Sequence, residues 1–239
     1  MLDEFLKSPA GHAVFGLVIA VAAVVIIELN YRLFFKYVLD FVFALVFTVV
    51  CSPAFLVGAI ISRKKEGYVF DETPYLGAKG RIIYVKSFAG AGAIKNLPRL
   101  LSVLSGKASF VGVSFMTVPD GALLDDEAMD RFGARPGLVN HLVLRGHEGL
   151  TYEEVFALDK KYVKSRELFT DIFTVIKYFV LLLRGEGKTY LGEAKDSSYG
   201  EALLARGQIS KADLDNARKN ATDALDEEER RENFKTRGM

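Results

Sequence analysis

The chain has no tryptophan, a single cysteine and three histidines among its 239 residues. One thiol, Cys51, excludes an internal disulfide framework, and no Cys-x-x-Cys pair is present to hold a metal. His12, His141 and His147 are too scattered to read as a zinc set. Net charge is also scarce, with 31 Lys and Arg against 30 Asp and Glu. That balance makes no case for nucleic acid as a partner, because charge here is local and not global. Without tryptophan, an aromatic belt at a membrane surface has to be built from tyrosine and phenylalanine.

Apolar residues are plentiful, and they fall in runs. The longest extends from about Tyr37 to Ser62 and is broken at Ser52-Pro53. Arg32 and Lys36 flank it on one side, and Arg63, Lys64 and Lys65 on the other. As one straight helix it would be ~39 Å long, enough to span a ~30 Å hydrocarbon core. A crossing would then push one basic cluster outward, against the preference of such residues for the cytosol. Proline inside a helix costs ~3 kcal/mol through a lost donor and a clash one turn back. Two half-helices hinged at Ser52 and Pro53, entering and leaving by one face, satisfy both constraints. The Ser52 hydroxyl is expected to bond a carbonyl freed by the proline. Residues 32–66 are therefore read as a re-entrant membrane hairpin.

A second run, Ala10 to Leu29, is interrupted only by His12 and Glu28. Its length, about 20 residues, is that of one membrane crossing. The segment before it is acidic, and no small-residue cleavage site closes it, so a signal peptide is the weaker reading. Residues 1–31 are expected to form an uncleaved transmembrane helix. Asp3, Glu4 and Lys7 on one flank, against Arg32 and Lys36 on the other, place Met1 outside and Arg32 inside.

Residues 67–186 read as a small cytosolic α/β domain. Gly67–Phe70 and Arg81–Val85 are expected as short strands joined by a turn over 74–80. Ser87–Ala93 is a glycine-rich connector, with no Gly-Lys-Ser/Thr to make it a phosphate loop. Leu97–Leu104 has a helical apolar face, ended by Gly106 as a cap. Ser109–Gly112 reads as a short buried strand or an extended turn, Asp120–Asp130 as an acidic helical surface segment, and Arg135-Pro136-Gly137 as a turn. Tyr152–Tyr162 fits an amphipathic helix. Phe169–Leu183 is apolar but short for a crossing, and is expected to lie in the membrane interface or beneath the hairpin. Residues 187–239 read as a charged helical tail. It has a capping box near Ser210, a small helical hairpin over 203–214, a solvated helix over 213–234 and disorder from Lys235.

Several blocks then line up with one family. Lys36-Tyr-Val-Leu-Asp40 leading to Ser52-Pro53 resembles the start of the bacterial sugar transferases, the monotopic phosphoglycosyl transferases. The run from Leu97-Pro98 through Gly106 to Ser109-Phe-Val-Gly112 resembles their central signature. Arg131-Phe-Gly-Ala-Arg135-Pro136-Gly137 resembles their arginine-rich turn, and Leu158-Asp159-Lys-Lys-Tyr162-Val163 the block after it. The resemblance covers most of residues 32–183. It implies a re-entrant hairpin carrying a small α/β domain with interfacial helices, on the bacterial cytoplasmic (inner) membrane and facing the cytosol. It also implies transfer of a sugar-1-phosphate from a nucleotide diphosphate sugar to polyprenyl phosphate. In active members an Asp-Glu pair just before the Leu-Pro does the chemistry. The aspartate attacks the phosphate, and Mg²⁺ neutralises the diphosphate.

This chain departs from that pattern at its centre. Lys95 and Asn96 occupy the acid-pair positions. An ammonium cannot ligate Mg²⁺, and an amide is neither a good nucleophile nor a base. The arginine expected after Gly112 is missing, and the Gln-x-Arg expected after the first strand is Asp71-Glu-Thr73. The chain is accordingly read as a catalytically degenerate member, with no catalytic residue and no metal site assigned. It would be a partner or regulator in exopolysaccharide or glycoconjugate assembly, bound to the lipid bilayer and associating with an intact relative or other assembly proteins.

Lys36, Asp40, Arg131 and Arg135 are the phosphate or substrate-binding candidates, because guanidinium suits bidentate phosphate contacts. Ser52 and Pro53 break the hairpin. Leu97, Pro98, Gly106, Gly112, Pro136, Gly137, Asp159 and Tyr162 are expected to brace the fold. Two alternatives stand beside this reading. One is an active transferase whose nucleophile has moved to Asp71, Glu72, Asp125, Asp126 or Glu127. The other is a membrane scaffold that binds only proteins through its tail.

Overall fold

The computed structural model describes residues 8–144, 150–185 and 197–237. Asp3, Glu4, Lys7 and His147, and Gly238 and Met239 at the end of the segment expected to be disordered, lie outside the described residues. Helix α1 runs Pro9–Asn30 and passes through a π-helical turn, Tyr31–Phe35, into α2, Lys36–Val50. One residue, Cys51, separates α2 from α3, Ser52–Glu66.

The break is sharp: α2 and α3 are bent by 68°. Pro53 sits in the first turn of α3, where its missing N–H is one of the groups a helix start leaves unpaired. The expected Ser52 bond does not form, because Ser52 is exposed and a proline in the first turn frees no carbonyl for it. The hydroxyl that bonds backward in α3 is Ser62, to the carbonyl of Gly58 at 2.8 Å. The second arm ends at Gly67, whose φ of +82° suits a left-handed cap. No single helix among the described residues is long and apolar enough to cross a membrane, whereas α2 and α3 together pass that test as a bent pair. Within α1 the described apolar stretch is His12–Glu28, shorter than the ~20 residues of a crossing.

The domain behind the hairpin is mixed, with many helices and two small sheets. Strand β1, Phe70–Leu76, pairs antiparallel with β2, Ile82–Phe88, from Phe70 opposite Phe88 to Leu76 opposite Ile82. The expected first strand over 67–70 is thus displaced. The strand begins where that reading ended and runs through Pro74. A proline is tolerated there because each strand of a two-stranded sheet keeps one edge unpaired.

Helix α4, Arg99–Leu104, follows, and Gly106 with φ +72° ends its last turn. Strand β3, Ser109–Gly112, is fully buried and pairs in parallel with β4, Gly137–Asn140. The acidic segment folds as two short helices, α5, Val118–Gly121, and α6, Asp126–Met129. Helix α7, Tyr152–Lys164, starts with a Thr151–Glu154 capping box. Helix α8 is Leu168–Leu183, α9 is Tyr199–Ala205 and α10 is Lys211–Arg237.

Parallel pairing of β3 and β4 requires backbone-to-backbone approach. A Cβ on Gly137 would lie 2.0 Å from the Gly112 nitrogen, and one on Gly112 would lie 2.4 Å from the Arg135 carbonyl. This is the physical role of two of the motif glycines. The hairpin packs on this sheet: Phe47 of α2 stacks between Phe110 and Phe179, at 5.2 and 5.3 Å. In α3, Gly58 leaves room for the Phe88 ring, which a Cβ would meet at 2.5 Å.

A second apolar cluster joins Leu76, Met116, Phe132, Leu142, Val143 and Val155. The tail was expected to be solvated, but its helix α10 buries Leu214, Ala217 and Ala221, and Ala221 joins this second cluster. The same helix continues to Arg237, past the point where disorder was expected. In contrast, α8 leaves Phe169, Phe173, Ile176, Val180 and Leu183 exposed on one stripe.

Candidate functional site

Lys36 and Asp40 are one turn apart in α2, so both side chains leave the same face. Both are buried. The Lys36 ammonium donates to Asp40 Oδ1 at 2.8 Å and to the Val111 carbonyl at 2.9 Å, and lies 2.7 Å from Asp171 Oδ2. That saturates its three donors. Asp40 also accepts from the Phe110 N–H at 3.0 Å, the Ser109 hydroxyl at 2.5 Å and Arg135 Nη2 at 2.8 Å. Asp171, on α8, further accepts from Tyr31 at 2.5 Å and Tyr162 at 2.8 Å. Burial, and then the Asp171 carboxylate beside it, hold the Tyr162 hydroxyl well above its ordinary value, so it stays a donor. Two cations and two anions are therefore balanced in one set, with Arg135 also facing open space. The set joins the mouth of the hairpin to β3, to the Arg135 turn and to α8.

A second buried pair lies beside it. Arg131 Nη2 bonds Asp159 Oδ2 and donates to the Ser114 carbonyl at 2.9 Å, and the guanidinium rests 4.7 Å from the Phe156 ring centre. The Arg131 side chain is 1% exposed and that of Asp159 is fully buried. His141 stacks on Tyr162 at 4.6 Å and has its Nδ1 3.5 Å from Asp159 Oδ1, without the alignment of a hydrogen bond. Burial lowers the His141 pKa despite Asp159, which pulls the other way, so the ring is neutral near pH 7.

The unfolded chain takes up a proton near pH ~6.5 that the folded chain refuses. Stability is thus lost as pH falls below that value, by up to about 1.4 kcal/mol per pH unit. Melting curves at pH 7.5 and 5.5 are expected to show a smaller drop for His141→Gln than for the unsubstituted protein. Equal drops would mean that His141 takes up its proton in the folded state.

Lys95 and Asn96 stand exposed in the turn before α4, and the Lys95 carbonyl accepts from the Phe88 N–H at 2.8 Å. An ammonium cannot ligate Mg²⁺ and a lone neutral amide oxygen brings no charge to it, and among the described residues no three His, Cys, Asp or Glu side chains converge to hold a metal. Just behind them, Leu97 is half-buried, Pro98 is buried, and Arg99 lies over the Tyr75 and Phe115 rings at 5.6 and 5.0 Å.

The other acids are engaged locally. Asp71 accepts from Tyr68 at 2.9 Å, and Glu72 lies 3.4 Å from Lys86. Asp125 caps α6 at 2.7 Å, Asp126 is in the first turn of α6, and Glu127 pairs with Lys160 at 2.9 Å.

The structure brings Lys36, Arg135 and Tyr162 around one small cleft, and Asp40 lies behind its lining, bonded to Lys36 and Arg135. Arg131 and Asp159 lie outside its lining, sealed in the core. The sequence alone assigns no site role to Tyr31, Ser109, His141 or Asp171. Asp171 had a signal, as the lone acid in the apolar run Leu168–Leu183, where an uncompensated carboxylate would be costly. Tyr31 and His141 had none, since only the fold brings them to their partners.

Two comparisons with known proteins agree. Residues 81–185 match the family model described as bacterial sugar transferase. The exopolysaccharide production protein ExoY of Rhizobium meliloti (strain 1021) is 32% identical over 95 residues, 39% of this chain and 42% of that protein. The uncharacterized sugar transferase EpsL of Bacillus subtilis (strain 168) is 28% identical over 110 residues, 46% of this chain and 52% of that protein. The ExoY protein of Sinorhizobium fredii is 30% identical over 107 residues, 44% of this chain and 47% of that protein. The chain spans about half the length of each relative.

Proposed function

Because residues 81–185 make the chain a member of the bacterial sugar transferase family, we propose that it serves exopolysaccharide or glycoconjugate assembly as a non-catalytic, membrane-seated member. The observation that carries this reading is the exposed Lys95-Asn96 at the family's acid-pair positions. Neither side chain is a nucleophile for a phosphate at neutral pH, and the ammonium cannot ligate Mg²⁺. No carboxylate among Asp71, Glu72, Asp125, Asp126 and Glu127 is buried in a cleft with an activating neighbour, which argues against a relocated nucleophile.

The membrane seat is argued from surface chemistry. Helices α1, α2 and α3 expose Val18, Val25, Phe41, Val49, Leu56 and Ile60 to their surroundings, and α8 adds its apolar stripe. Contiguous apolar surface of this extent marks a partner or a membrane. Arg63, Lys64 and Lys65 end α3, and Lys36 begins α2, so both ends of the bent pair carry cations. A hairpin dipping into one leaflet of the bacterial inner membrane keeps both ends at the cytosolic face. α1 would cross the membrane before it, with the help of flanking residues.

The clamped Lys36–Asp40–Asp171–Arg135 set fixes the hairpin to the domain, and so the domain's orientation on the bilayer. The family's substrates, polyprenyl phosphate or a nucleotide sugar, are the ligands such a protein would retain. A catalytically intact relative is its most fitting protein partner.

The test is turnover. Purified protein is incubated with a panel of uridine-diphosphate sugars, polyprenyl phosphate and Mg²⁺, and nucleoside monophosphate is measured. The expected result is release at the background rate. Robust release would overturn the reading and return the acids of α6 and β1 to consideration.

A further inference from the structure

The turn between β1 and β2 has an unusual backbone. Lys79 has a φ of +59°, the one non-glycine residue with positive φ among the described residues. A side chain is disfavoured there, and such strain persists where the surrounding structure imposes it, often at a binding site. Lys79, Arg81, Lys107 and Arg135 line one open groove, walled by Tyr37 and Ile83. No acidic residue lines it.

Arg135 is held in place by Asp40 at 2.8 Å, the Gly106 carbonyl at 3.2 Å and the Tyr37 ring at 4.1 Å. Lys79, Arg81 and Lys107 are exposed, and no carboxylate of the described residues pairs with them. Three uncompensated cations beside a fourth repel one another and concentrate anions in the groove. The turn and the rigid Arg135 are parts of different elements, so the convergence is made by the fold.

Position sets this groove apart from the family's acid-pair positions. Lys95 and Asn96 precede α4, whereas Lys107 follows it, so the groove is at the opposite end of that helix. Tyr37 lies in the first turn of α2, at the mouth of the hairpin. On the membrane-seat reading, on which this inference rests, the groove therefore opens at headgroup level.

The geometry points to a phosphate-binding site in this groove, taking either the headgroup phosphate of an anionic lipid or a free pyrophosphate-like group. Guanidinium and ammonium groups on a rigid arginine floor suit the tetrahedral, multiply charged oxygens of a phosphate.

The experiment uses the full chain in detergent, with two variants. One replaces the groove cations, Lys79→Gln, Arg81→Gln and Lys107→Gln. The other is a charge-matched control at exposed positions elsewhere, Lys164→Gln, Lys211→Gln and Lys219→Gln. One arm titrates inorganic pyrophosphate by calorimetry. The other counts retained phosphatidylglycerol against phosphatidylcholine by native mass spectrometry. The unsubstituted protein and the control are expected to bind at least about ten-fold more tightly than the groove variant in one arm or both. Loss in the pyrophosphate arm alone names a free phosphate as the ligand, and loss in the phosphatidylglycerol arm alone names a lipid headgroup; either supports the site. A groove variant within about two-fold of the control in both arms, or no binding by the unsubstituted protein, overturns it.

Carbonate extraction of the source membranes separates this proposal from the one it rests on. Protein that is washed off yet binds pyrophosphate through the groove removes the seat and keeps the site. Protein that stays in the membrane without groove binding removes the site alone.

Discussion

Lys36→Met is expected to lower stability by roughly 3–5 kcal/mol, the usual cost of stranding a buried charge. Among the described residues no other cation pairs with Asp171, whose remaining partners are the hydroxyls of Tyr31 and Tyr162. Asp40 keeps Arg135, so the damage concentrates where α8 meets the hairpin mouth. In a thermal melt in detergent, the midpoint should fall by roughly 10 °C for a chain of this size. Adding Asp171→Asn to Lys36→Met removes the stranded charge and should recover part of the loss. A single substitution that leaves the midpoint unchanged would show that the four-charge set does not hold the hairpin root.

Arg131→Met is expected to be of similar size, again roughly 3–5 kcal/mol. Asp159 is fully buried and its other ionisable neighbour, His141, is neutral near pH 7 because burial lowers its pKa. Among the described residues no other cation pairs with Asp159, so the carboxylate is left without compensation. Arg131→Lys should not restore the lost stability in full, since an ammonium cannot reproduce the fork to Asp159 and the Ser114 carbonyl or the contact with Phe156. The double variant Arg131→Met with Asp159→Asn should melt above the single one. If Arg131→Met left the melt unchanged and weakened phosphate binding instead, the residue would be a ligand-holding group and not a brace.

Parts of this architecture are legible in the sequence because they are local. Pro53 inside an apolar run with cations at both ends foretells the 68° break, and the Lys36–Asp40 spacing foretells two side chains on one face. Gly106 foretells the end of α4 through its cap, and the Thr151–Glu154 spacing marks the start of α7. What is not legible depends on distant contacts. Asp171 meets Tyr31 across 140 positions, and Asp40 meets Arg135 across 95.

Arg131 and Asp159 sit in motifs that can be read one by one, but only the fold shows that they neutralise each other in the core. Pro74 misleads because proline opposes strand, and the unpaired edge that tolerates it is a property of the sheet. The α10 stripe of Leu214, Ala217 and Ala221 is thin, and two alanines among many charges give little hydrophobic signal before the partner surface is known. The groove at Lys79, Arg81 and Lys107 was unreadable for the same reason, since its cations come from separate turns.

A bent anchor that returns to the face it came from keeps the end of α3 on the inner side of the membrane. Cys51 is the protein's one thiol, so a Cys51→Ser background carrying Lys64→Cys places a single label just past the second arm. In intact cells a membrane-impermeant maleimide should leave this position unlabelled, and permeabilising the inner membrane should expose it fully. Labelling from outside in intact cells would put the end of α3 on the far side, make the bent pair a full crossing and contradict the one-leaflet seat.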